Sequence, residues 1–124
     1  MNDYQKEASI KLRAMTSKEA ANWIITNHSD DGCFFVSKRS WLVEDQLILA
    51  KHFLRNIPHA TGRCYENLLS VMSVKNFMKV VEMYPCDIKE ENDLLSYYIF
   101  PALNNAEKSD KDKKIIERFK QGLS

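Results

Sequence analysis

The sequence predicts an all-α domain, an irregular antiparallel multi-helix bundle of six to eight short helices. Three observations predict it. Only three Gly and three Pro interrupt 124 residues in which Leu, Ala, Lys and Glu are abundant. Ser, Thr and Asp capping signals stand just ahead of apolar stretches. Within those stretches apolar residues recur at three- and four-residue spacing instead of alternating. No repeat of fixed period is present, so a solenoid is not expected.

Taken in order, Tyr4, Ala8, Leu12 and Met15 make the first helical stripe. Thr16-Ser-Lys-Glu19 has the form of a capping box and opens a helix with Ala20, Ala21, Ile24, Ile25 and His28 on one face. Gly32-Cys-Phe-Phe-Val-Ser37 is apolar without a period, and no second strand pattern exists to pair with it, so a loop is expected. Ser40 is the expected N-cap of a longer helix with Leu42, Leu49, Ala50, Phe53, Leu54 and Ile57 inward, ending at Pro58. Residues 62–72 hold a short helix with Tyr65, Leu68, Leu69 and Met72. Ser73 caps the next helix, where Val74, Phe77, Met78, Val80, Val81 and Tyr84 oppose Lys75, Lys79 and Glu82, and Pro85 closes it. Asp87-Ile-Lys-Glu90 forms a second capping box before Leu94, Leu95, Tyr98 and Ile99, and Pro101 is expected to kink or split that helix near Phe100. Ser109-Asp-Lys-Asp112 is a looser box for a last helix with the narrow stripe Ile115, Ile116 and Phe119, and Gly122 falls where a C-cap would.

A chain of this length is one domain, residues 1–124. With 44% apolar residues it has enough core to need no metal or disulfide staple, since a domain of this size buries roughly two-thirds of its unfolded surface. Lys and Arg number 18 against 17 Asp and Glu, which argues against direct nucleic-acid binding, a function that leaves a basic surplus. The start, Met1-Asn-Asp-Tyr-Gln-Lys-Glu, is polar with no secretory h-region, and no apolar run approaches the ~20 residues of a membrane span. Cys33, Cys64 and Cys86 are odd in number and lack CxxC spacing, so free, dispensable thiols in a reducing cytoplasm are expected.

No catalytic or cofactor motif appears. His28, His52 and His59 have none of the paired spacings of structural zinc, and Cys64 near His59 reads as a buried thiol beside a surface imidazole in a turn. Ser29-Asp-Asp-Gly32 fails as a calcium loop, because the position that needs Glu is Trp41. Ala60-Thr-Gly-Arg is followed by no GK[ST], and G-x-S-x-G and H-E-x-x-H are absent. Neither an enzyme nor a bound cofactor or metal is expected.

The surface is more informative. Residues 86–108 carry five acids (Asp87, Glu90, Glu91, Asp93, Glu107) against Lys89 and Lys108, a local −3, while residues 109–124 are locally +2. Part of the acidity complements the start of a helix. Glu90, Asp93 and Tyr97, however, at i, i+3 and i+7, fall opposite the core side and make an acid–acid–aromatic stripe suited to a basic protein partner, with Asp87 nearby. A second candidate is the start of the preceding long helix. There Trp41 and Ile48 project away from the apolar face toward Glu44, Asp45 and His52, so that helix is either central and buried on two sides or presents a mixed patch.

Three stretches of the C-terminal half carry a resemblance: Leu68-Leu-Ser-Val-Met-Ser-Val-Lys-Asn-Phe-Met-Lys-Val-Val-Glu82, Asn92-Asp-Leu-Leu-Ser-Tyr-Tyr-Ile-Phe-Pro-Ala-Leu103 and Lys108-Ser-Asp-Lys-Asp-Lys-Lys-Ile-Ile-Glu117. Over residues 65–123 the chain resembles small all-helical immunity proteins of polymorphic toxin and contact-dependent growth inhibition systems. The resemblance implies a cytoplasmic protein that binds one cognate bacterial toxin domain, usually a nuclease, and covers its active site. It carries no family motif, so the expected partner-binding residues come from the surface pattern: Asp87, Glu90, Asp93 and Tyr97, or Trp41, Glu44, Asp45 and Ile48. The alternative function is a helical interaction or adaptor module, such as a phage-encoded modulator or an antitoxin.

Overall fold

A computed structural model describes residues 2–123; Met1, where the polar N-terminal stretch begins, and Ser124 lie outside the described residues. Eight helices and no strand occur among the described residues. They are α1 (Asp3–Ala14), α2 (Ser17–Asn27), α3 (Cys33–Val36), α4 (Val43–Leu54), α5 (Arg63–Leu69), α6 (Val74–Val81), α7 (Lys89–Ala106) and α8 (Asp110–Leu123). The chain is an all-α multi-helix bundle, as the periodicity predicts.

Helix starts follow local side-chain chemistry where a short polar residue is free to turn back. Thr16 accepts from the Glu19 amide at 3.2 Å while the Glu19 carboxylate accepts from the Thr16 amide, and Asn2 with Gln5 repeats the arrangement on α1. These bonds, the Thr16 amide first, hold the Glu19 carboxyl below its ordinary range. Ser73 caps α6 as expected. Ser109 accepts from the Asp112 amide, but the Asp112 carboxylate reaches back to the Lys108 amide, one residue beyond the Ser109 amide that a full box would use.

Other boundaries depart from the pattern. The N-cap of α4 is Leu42, not Ser40, and that of α7 is Ile88, not Asp87; neither supplies a side-chain cap. Leu42 stands exposed at the cap instead of lining the core, because its amide is tied to the Ser17 hydroxyl. Gly122 lies inside α8 and terminates nothing. Cys33–Val36, expected as loop, is one helical turn, with Cys33, Phe35 and Val36 turned into the core. α4 ends at Leu54, ahead of the cis Ile57–Pro58 bond. Pro101 does not split α7, which runs unbroken from Lys89 to Ala106. Proline has no N–H for the Tyr97 carbonyl, but both residues are on the exposed side, where water can take that bond.

One contiguous core joins all eight helices, from Ala8 and Leu12 of α1 to Ile116 of α8. α4 is central, packing on α2, α5 and α6, while α5 packs on α3 and α7, and α8 closes over α6 and α7. Leu49, Ala50, Phe53 and Leu54 line the inward side of α4. Each fully buried leucine or phenylalanine contributes roughly 1.5–3 kcal/mol. The carbonyls at the end of α1 need partners, and Arg39 supplies them: its Nη1 donates to Leu12 and Met15 oxygens, each at 2.8 Å, while its guanidinium lies over the Trp41 ring.

Candidate functional site

α7 offers the stripe that the sequence points to. Leu95, Ile99, Ala102 and Leu103 are buried and fix the helix's inward face. Asp87, Glu90, Asp93 and Tyr97 are all exposed, and Tyr97 is 72% exposed. Its ring stands nearly perpendicular to that of Tyr98, centroids 4.8 Å apart. Leu94 corrects the helical reading: it belongs to the outward side, 38% exposed, one turn from both Glu90 and Tyr97. Among the described residues, no basic group lies within 4.0 Å of the carboxylates of Asp87, Glu90 or Asp93. With no side chain capping α7, these acids also face the positive end of the helix. The outcome is an apolar and aromatic strip flanked by uncommitted negative charge.

The second patch is not a continuous surface. Trp41 is 7% exposed, and its Nε1 donates to the Val36 carbonyl at 2.8 Å, so it turns inward and anchors α3 against the start of α4. Asp45 is 1% exposed, and among the described residues its Oδ2 has no hydrogen-bond partner. Both are corrected from surface to interior, because α4 is packed on several sides by α2, α5 and α6. Glu44 and Ile48 do face outward, Ile48 at 43% exposure, but the next exposed position on that face is Lys51. Without Asp45 no net negative field remains there.

A third feature has no sequence signal. Cys33 of α3 and Cys64 of α5, 31 positions apart, bring their sulfurs to 2.8 Å. His59 is half-buried, not a surface imidazole, and shares with Cys64 a cleft of about 380 Å³. Its ring is held by Nε2–H donating to the Phe53 carbonyl at 2.7 Å, and its backbone N–H donates to the Tyr65 hydroxyl at 2.9 Å. Cys86 stands apart, partly buried near Asp87 and Glu91. No spacing rule reports a pair made by packing α3 on α5. The other two histidines hold loops: His28 bonds Tyr4 and Asp31, and His52 bonds the Ser29 carbonyl.

Compared with family models, curated proteins and solved structures, the chain matches none of them. No described helix is long and apolar enough to cross a membrane.

Proposed function

We propose that this chain is a binding protein whose outer α7 face docks on a basic protein, and that it acts as an immunity protein neutralising a cognate toxin domain in the cytoplasm. The single observation that carries the binding reading is the exposed Leu94 and Tyr97 beside Glu90 and Asp93, acids with no basic partner within 4.0 Å among the described residues. Protein interfaces draw most of their affinity from a few aromatic and charged anchors, and a tyrosine can be buried on docking at little entropic cost. Uncommitted carboxylates steer a cationic partner and orient it. The resemblance of residues 65–123 to helical immunity proteins supplies the class of partner, and a nuclease active site is a basic surface of the kind these acids would meet. An adaptor for another basic protein would use the same face.

The test is capture from native lysate with the tagged chain. A basic toxin domain should be recovered in 1:1 ratio, and the Glu90→Lys/Asp93→Lys variant should fail to recover it. Equal recovery by the folded charge-reversed variant would count against this face.

A further inference from the structure

Cys33 and Cys64 form a chemically asymmetric pair. The two sulfurs lie 2.8 Å apart, where either thiol can donate to the other, and the Cys33 thiol also reaches the Cys64 carbonyl oxygen at 3.5 Å. Both sulfurs border the cleft with His59, Phe34, Phe53 and Arg63, but Cys33 is buried whereas Cys64 is partly exposed. With Nε2–H fixed on the Phe53 carbonyl, Nδ1 is the His59 nitrogen left to take up or release a proton. Arg63, Asp30 and Asp31 also line the cleft, and Asp30 lies 4.0 Å from Arg55, so the fixed charges around it are mixed. Among the described residues no three His, Cys, Asp or Glu side chains gather in a way that could hold a metal ion.

Such surroundings select one sulfur as nucleophile. The hydrogen bond from Cys33, helped by His59 and opposed by burial, brings the Cys64 thiol down to about 6. Cys33 is pushed up in turn, first by that same bond and then by burial, and keeps its proton. Cys64 pushes the His59 imidazole up, against the effect of burial, which favours transfer of the Cys64 proton to the His59 ring. Burial and the neighbouring Glu91 and Asp87 push Cys86 the other way, which makes it an internal control.

We propose that Cys64 is a peroxide-reactive cysteine and Cys33 its resolving thiol, so that a hydroperoxide closes a Cys33–Cys64 disulfide between α3 and α5. The Cys64 thiolate attacks one peroxide oxygen: an S–O bond forms, the O–O bond breaks, and two electrons pass from sulfur to oxygen. The departing hydroxide takes the His59 proton and leaves as water. The Cys33 sulfur then attacks the Cys64 sulfenic sulfur, and the S–O bond breaks. The second hydroxide leaves with the Cys33 proton as water. A small oxidant suits a nucleophile exposed only in part, since a protein disulfide would need approach along the line of the two sulfurs. This chemistry is independent of the α7 face.

The experiment uses the whole reduced protein, hydrogen peroxide as oxidant, and peptide mapping by mass spectrometry. Wild type should yield the Cys33–Cys64 cross-linked peptide with Cys86 still reduced. Cys33→Ser should instead give a dimedone adduct on Cys64, and Cys64→Ser neither cross-link nor adduct on Cys33. Iodoacetamide at pH 6.5 should label Cys64 at least about tenfold faster than Cys86, with Cys64 reactivity falling only below about pH 6. His59→Asn should move that fall to higher pH. Oxidation of Cys86 as fast as Cys64, or no cross-link in wild type, would overturn the proposal. Should a serine variant not fold, the wild-type map and its pH profile decide.

Discussion

The indole of Trp41 donates to the Val36 carbonyl at 2.8 Å, joining the entry to α4 to the one-turn α3. The ring is covered on one side by the Arg39 guanidinium. A tryptophan so engaged cannot also anchor a partner, which leaves the α7 face as the stronger surface candidate. Trp41→Ala should cost about 3–5 kcal/mol of stability. Trp41→Phe should cost less, keeping most of the burial and losing the hydrogen bond. Chemical denaturation checks both values, and partner affinity should be unchanged under conditions where either variant is folded.

Arg39 holds the end of α1 through two carbonyl contacts. Arg39→Met keeps the aliphatic stem and removes every donor, so about 1.5–3 kcal/mol should be lost. Hydrogen exchange should speed up first in the last turn of α1 and at Met15.

Gly32 is required by space. A Cβ there would lie 2.4 Å from the His28 carbonyl oxygen and 2.6 Å from Ile24 Cγ2, a backbone atom and a buried core atom. Neither can give way cheaply, so Gly32→Ala should destabilise by about 1–3 kcal/mol, whereas Gly122→Ala, with open space around it, should be neutral or slightly stabilising. Thermal melts of the two variants make the comparison.

Asp45 is a buried carboxylate in the first turn of α4 with one oxygen unpartnered. Its favourable position on the helix dipole is worth ~0.3–1 kcal/mol, less than the ~1–3 kcal/mol cost of an unmet buried polar group. Asp45→Leu, of similar size, should therefore raise the melting temperature and leave partner affinity unchanged. A drop in affinity without a drop in stability would return Asp45 to the interface.

The helices were legible in the sequence because their burial repeats along one stripe, as in Val74, Phe77, Met78 and Val81 of α6. Errors arose where tertiary packing overrode local pattern. Leu42 and Leu94 are apolar residues left outside, while Trp41 and Asp45 are drawn in because α4 is packed on several sides. Cys33–Val36 was illegible as helix because a single turn has no period to detect. On α7 the outward stripe was legible, since eighteen residues of helix fix which side each position takes. The Cys33–Cys64 pair was not, because its proximity is created by α3 packing on α5 and leaves no trace in spacing.

The central claim is that the exposed α7 face is the docking surface, and titration calorimetry of the recovered basic domain against wild type, Glu90→Lys/Asp93→Lys and Tyr97→Ala tests it most directly. Exposed charges rarely contribute more than about 1 kcal/mol to folding, so melts of the charge-reversed protein should stay near wild type. Affinity should fall by roughly 2–5 kcal/mol for the charge reversal, and Tyr97→Ala should weaken binding chiefly by faster dissociation. Wild-type affinity in all the folded variants would contradict the claim and place the partner elsewhere, with the Glu44 and Ile48 side of α4 the next surface to probe.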